Sequence, residues 1–170
     1  MTIIVCPLSY VDAVMAARRP SHLITLLDPD HFIETPEGLQ AEQHLRVGVH
    51  DICDVIEGYH CPVEAHVTQL LEFGRTWDGA DPILIHCWAG ISRSTAAAFT
   101  LACERNPAVD EQVIARRLRE ASRTATPNRR IVALADDMLG RRGRMVDAAV
   151  SIGVGDLSYE GRPFDLPVRY

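Results

Sequence analysis

A cysteine followed six positions later by an arginine, Cys87 and Arg93 in "IHCWAGISRS", is the pairing in this chain best suited to chemistry. A thiolate is a strong nucleophile, and a planar guanidinium can take two oxygens of an anionic centre at once. Together they suit attack on a phosphoryl group. The bare spacing is weak evidence, because 5 cysteines and 17 arginines in 170 residues give roughly half a match by chance. Context makes it specific. Cys6, Cys53, Cys61 and Cys103 have no arginine at that distance, whereas Cys87 also ends an apolar run, "PILIHC", and precedes an alanine-rich segment.

A loop that winds from a strand into a helix N-terminus aims several backbone N–H groups at one point, where the helix dipole adds positive potential. Trp88, Ala89, Gly90, Ile91, Ser92 and Arg93 would supply those groups, with Ala89 and Gly90 leaving room for close approach. The same field lowers a thiol from about 8.5 to between ~3.5 and ~7.5 and makes it a nucleophile near neutral pH. His86 is placed to orient and support Cys87. Ser94 is placed to donate to the sulfur and help it leave when water cleaves a phospho-cysteine.

The elements that must position this loop read as an α/β chain. "TIIV" (2–5), "HLITLL" (22–27), "LRVGV" (45–49) and "PILI" (82–85) are short apolar runs bounded by turn residues, hence strands. Helices are expected over 9–19 and 63–77, with Gly74 weakening the end of the second. Four more follow Cys87. One runs to Asn106-Pro107, and a second is capped by Asp110. A third has Thr126 as its cap, Pro127 at its first position and Gly140 as terminator; "GRMVDAAVSI" is the last. The expected fold is three-layered, with a central, mostly parallel sheet of four or five strands flanked by helices. Residues 1–152 would form one domain, with 153–170 an irregular tail packed on it.

Composition narrows the partners. A net charge of −6 and a pI near 5.6 argue against nucleic acid or a membrane surface. All the basic residues are arginine, so any cationic group at a site is arginine or histidine. Irregularly spaced cysteines, odd in number, fit a reducing cytoplasm, and "MTIIVCPLSY" reads as a first strand.

"IHCWAGISRS" resembles the signature of the cysteine-dependent protein tyrosine phosphatase superfamily, in its compact dual-specificity-like branch. "RTATPNRRIVALAD" is similar to the Pro-Asn and helix that follow the signature there, and "GRRGRM" resembles a group of small bacterial predicted tyrosine phosphatases. The resemblance implies hydrolysis of phosphotyrosine, with phosphoserine and phosphothreonine open, on a phosphorylated protein or small aryl phosphate. It implies no cofactor or metal. Asn128 would brace the loop, and an upstream aspartate would act as general acid and then base. Asp51 in "VGVHDICDV" is favoured because it follows the third strand directly; Asp54 is the alternative, with Asp28 and Asp30 further candidates. Lipid-directed members carry lysines where this loop has Ala89 and Ile91.

Other readings compete. His50, Asp51, Cys53, Asp54, His60, Cys61 and His66 lie close in sequence and suggest a metal, but their spacing matches no closed tetrahedral pattern. A rhodanese-type sulfurtransferase also uses a loop cysteine, though its loop is usually shorter. Low-molecular-weight tyrosine phosphatases start with the loop, but Cys6 has Asp12 where arginine is required. A catalytically weak phosphoprotein-binding module would keep the loop and misplace the acid.

Overall fold

In the computed structural model, which describes residues 1–170, the apolar runs form a five-stranded sheet. The strands are β1 (Thr2–Pro7), β2 (His22–Leu27), β3 (His44–Gly48), β4 (Ile83–Cys87) and β5 (Phe164–Pro167), in the spatial order β3-β2-β4-β1-β5. The first four are mutually parallel, and β5 runs antiparallel to β1. Parallel strands are covered on both faces, which is why β1, β2 and β4 read as continuous apolar runs.

The two faces are covered unequally. One carries the main core under α2 (Glu64–Thr76), α3 (Arg93–Arg105), α4 (Glu111–Ala121), α5 (Arg129–Met138) and α6 (Arg144–Ser151). The other packs Ile4, Cys6, Leu23 and Leu84 against Val11 and Val14 of α1 (Val11–Arg18). Helix α3 is the hub, buried from Arg93 to Cys103. Its alanines let the sheet and the flanking helices approach closely. Gly74 serves the same end, because a Cβ there would come within 2.5 Å of Leu101 Cδ2.

Two expectations need correction. The segment expected as an irregular tail contains β5, and Leu166 and Val168 are buried. "FDLP" has no strand signal of its own; it is a strand because β1 offers it an unpaired edge, from Thr2↔Pro167 to Val5↔Phe164. The α5 cap is Asn128, whose Oδ1 accepts from the Arg130 and Ile131 N–H groups, so Pro127 lies outside the helix. Thr126 Oγ1 instead donates to Thr124 O and accepts from Gly155 N–H. Asp110 caps α4 through Gln112 N–H, and Gly140 follows α5 at φ 64°.

Candidate active site

Parallel strands carry their carboxyl ends to one edge of the sheet, where α/β folds gather ligands. At that edge β4 ends on Cys87, and the loop 88–92 turns into α3. Gly90 has φ 68°, and a Cβ there would lie 2.6 Å from Pro7 N and 2.8 Å from Cys6 C. The loop crosses the end of β1 so closely that only glycine fits.

Several outer carbonyls of the loop are held by the body of the protein. Leu8 N–H donates to Trp88 O at 3.1 Å, Thr126 N–H to Ile91 O at 2.9 Å, and Asn128 N–H to Ser92 O at 3.2 Å. Ser92 occupies the N-cap position of α3 without capping it; its hydroxyl donates to Asp51 Oδ1 at 2.7 Å. The first N–H groups of α3 therefore have no side-chain cap.

Cys87 is 2% exposed, and its Sγ lies 3.1 Å from Ser94 Oγ. The buried Arg93 guanidinium donates through Nη1 to Asp28 Oδ1 at 2.9 Å and to Val49 O at 2.7 Å. Its Nε is buried without a partner. Buried guanidinium donors are normally satisfied, so this N–H is left free to donate to a ligand.

The aspartates separate by position. Asp28 pairs with Arg93 through Oδ1, and its Oδ2 accepts from Trp88 Nε1 at 3.1 Å. Asp30 is exposed. Asp51 lies at the loop, its Oδ1 shared between Ser92 Oγ and Asn128 Nδ2, the latter at 2.8 Å. Asp54 contributes its backbone carbonyl to Cys61 Sγ and is exposed. Ala89 and Ile91 are half-buried in the loop, while Trp88 is 41% exposed on its rim, edge-on to His31 at 5.6 Å. The suggested metal residues do not converge: no group of three or more His, Cys, Asp or Glu side chains is arranged to hold an ion. His50 Nδ1 accepts from His60 N–H and His66 Nδ1 from Val63 N–H.

Behind Cys87 a hydrogen-bonded chain extends from His86, an expected site residue, to residues that the sequence did not point to. His86 Nε2 lies 2.7 Å from Thr25 Oγ1, which lies 2.8 Å from His44 Nε2. His44 Nδ1 lies 3.1 Å from Thr35 Oγ1, which accepts from Arg46 Nη2 at 3.0 Å. The one available signal was Thr25, a polar residue inside the apolar "LITLL". Burial, reinforced by the Arg93 charge and opposed by the Cys87 backbone, pushes His86 down to about 4. His44 also falls to about 4, through burial first and then the charges of Arg46 and His86. Burial, then the neighbouring Cys87, pushes the Cys6 thiol up to about 12, so Cys6 stays protonated.

These rings carry a stability prediction. The unfolded histidines take up protons near 6.5, the folded ones only near 4. Between those values the unfolded chain binds more protons, so stability is present above about 6.5 and is lost as pH falls through the window. Acidification from about pH 7 to about pH 4.5 is expected to cost a few kcal/mol, read from urea midpoints. His44→Asn should flatten that slope; an equal slope in the variant would show that His44 contributes nothing to it.

No protein-family model matches the sequence, and no curated protein does. Solved structures do match. DUSP15 aligns with a TM-score of 0.62 at 15% identity, over 88% of this chain and 89% of its own. The Yvh1 phosphatase domain from Chaetomium thermophilum aligns at 0.59 and 17%, over 84% and 93%. PTPMT1 in complex with PI(5)P aligns at 0.58 and 13%, over 82% and 90%. The likeness is one of fold: the chain has the fold of the dual-specificity and tyrosine-phosphatase-like phosphatases.

Proposed function

We propose that this chain, built on the fold of cysteine-dependent tyrosine phosphatases, hydrolyses phosphotyrosine in proteins, and phosphoserine or phosphothreonine more slowly. The buried, unpartnered Nε of Arg93 carries this reading. It leaves one edge of the guanidinium free for two phosphoryl oxygens, in the loop that ends the strand of Cys87. The loop N–H groups take the remaining negative charge, and α3 leaves its first donors uncapped by any side chain.

The reaction proceeds in two displacements. Cys87 Sγ attacks phosphorus, forming a P–S bond as the bond to the leaving oxygen breaks, and Asp51 donates its proton to that oxygen. Asp51 then accepts a proton from water as the water oxygen attacks phosphorus. The P–S bond breaks, and its electron pair returns to sulfur as the Ser94 hydroxyl donates to it. Asn128 and Ser92 hold Asp51 in place.

A rapid-quench assay with an aryl phosphate tests the reading: a burst of phenol and a phospho-enzyme at Cys87, trapped by denaturant, are expected. Phosphotyrosine peptide should turn over faster than phosphoserine peptide. A phosphoinositide should be poor, because Ala89 and Ile91 offer its headgroup no cation. An inert wild type would favour the binding-module reading.

Ser94→Ala is expected to slow breakdown of the intermediate about 10- to 100-fold, the worth of one hydrogen bond to a charged group. The burst should survive while the steady-state rate falls. Equal losses in both phases would remove Ser94 from the second step.

A further inference from the structure

We propose that the C-terminal segment 153–163 is a working part of the phosphate loop, with Gly161 the positioning residue that aims the Gly90 N–H at the bound anion. A trans peptide is planar, so the C=O of one residue and the N–H of the next point in opposite directions. A donor that holds a loop carbonyl outward therefore turns the following N–H inward. Leu8, Thr126 and Asn128 do this for the N–H groups of Ala89, Ser92 and Arg93. The peptide between Ala89 and Gly90 is held by the C-terminal segment: Gly161 N–H donates to Ala89 O at 2.8 Å.

That peptide has the greatest need of a brace. It leads into Gly90, the residue type with the widest backbone freedom, here at φ 68°. N–H dipoles converging on one point repel one another until an anion arrives, so an unheld peptide can turn its donor away. Preorganised donors spare the reaction that reorganisation.

The same segment touches one of the other braces and the residue next to a second. Gly155 N–H donates to Thr126 Oγ1 at 3.0 Å, and Glu160 Oε2 accepts from Ser9 Oγ, beside Leu8, at 2.9 Å. Its backbone lies against the loop with no side chain between: a Cβ on Gly161 would lie 3.3 Å from Thr124 Oγ1 and 3.4 Å from both Ala89 O and Gly90 O. Beyond Gly161, β5 ties the segment to β1, and Arg18 pairs with Asp165. The segment thus runs from α6 past the loop to a fixed anchor on the sheet.

The inference rests on the reading of 87–93 as a phosphate loop, and the test separates the two. Replacing Gly161 by glycolic acid through nonsense suppression exchanges the N–H for an ester oxygen and leaves the rest of the full chain intact. Inhibition by orthovanadate and turnover of an aryl phosphate are measured beside thermal denaturation. Vanadate affinity and kcat/KM are expected to fall about tenfold, the loss of one donor to a charged ligand, with little change in Tm. Ser9→Ala combined with Glu160→Gln removes the Ser9–Glu160 hydrogen bond and loosens the segment while keeping the Gly161 N–H and every residue from 87 to 93. It should weaken vanadate a few-fold, and it decides the question if the ester chain does not fold. Unchanged vanadate affinity in a folded ester chain, or in the double variant where the ester chain fails, overturns the inference. A wild type that ignores vanadate overturns the phosphate-loop reading itself, and the inference falls with it.

Discussion

Cys87→Ser should abolish turnover of an aryl phosphate, with a loss on the order of 10⁵-fold or more, while vanadate and phosphate still bind. The reason lies in the surroundings of Cys87. Ser94 Oγ, at 3.1 Å, is the only side chain in hydrogen-bond contact with Cys87 Sγ, and it is a poor base. His86, the histidine next in sequence, spends its Nε2 on Thr25 and is pushed down to about 4, so it cannot serve either. No neighbouring side chain is placed to take a proton from residue 87, and a serine hydroxyl, a far weaker acid than a thiol, would need such a base to attack at neutral pH. The substitution leaves the packing intact, because oxygen is smaller than sulfur and the site is already polar. Denaturation midpoints should therefore match wild type within about 1 kcal/mol. Residual turnover within tenfold of wild type would mean that another group attacks phosphorus.

Asp51→Asn is expected to lower kcat by about 10²- to 10⁴-fold, the usual worth of a positioned general acid. The variant is clean: an amide oxygen can still accept from Ser92 Oγ and Asn128 Nδ2, so the loop keeps its shape. What disappears is the proton. The acid must carry a proton in the first step, and the variant has none to give. The deficit should shrink with aryl phosphates whose phenols are stronger acids, because such leaving groups need no proton. Asp54→Asn, in contrast, should change kcat little, since its carboxylate makes no contact with the loop or Asn128. A large loss in Asp54→Asn with a normal Asp51→Asn enzyme would exchange the two roles. Asp28 answers differently again. Its partners are Arg93 and Trp88, so its removal should raise KM through a loosened guanidinium.

The sequence alone determined the parts of this protein that are local. The turn from β4 through Gly90 into α3, the cysteine and arginine at its two ends, and the serine after them all lie between residues 87 and 94. Their chemistry follows from covalent spacing and from a strand, loop and helix that neighbouring residues specify. The apolar runs of β1, β2 and β4 were legible for the same reason, since burial on both faces imprints itself on each strand separately. What only the tertiary structure decided are the pairings across distance. Asp28 meets Arg93 across 65 positions and Asp51 meets Asn128 across 77, because parallel strands in the order β3-β2-β4 deliver their carboxyl ends to one edge. An aspartate after a strand looks the same in sequence whether it orients an arginine or carries a proton. β5 and the Gly161 contact are the extreme case: a backbone N–H has no signature in the side chains, and "FDLP" becomes a strand only because β1 has an edge to fill.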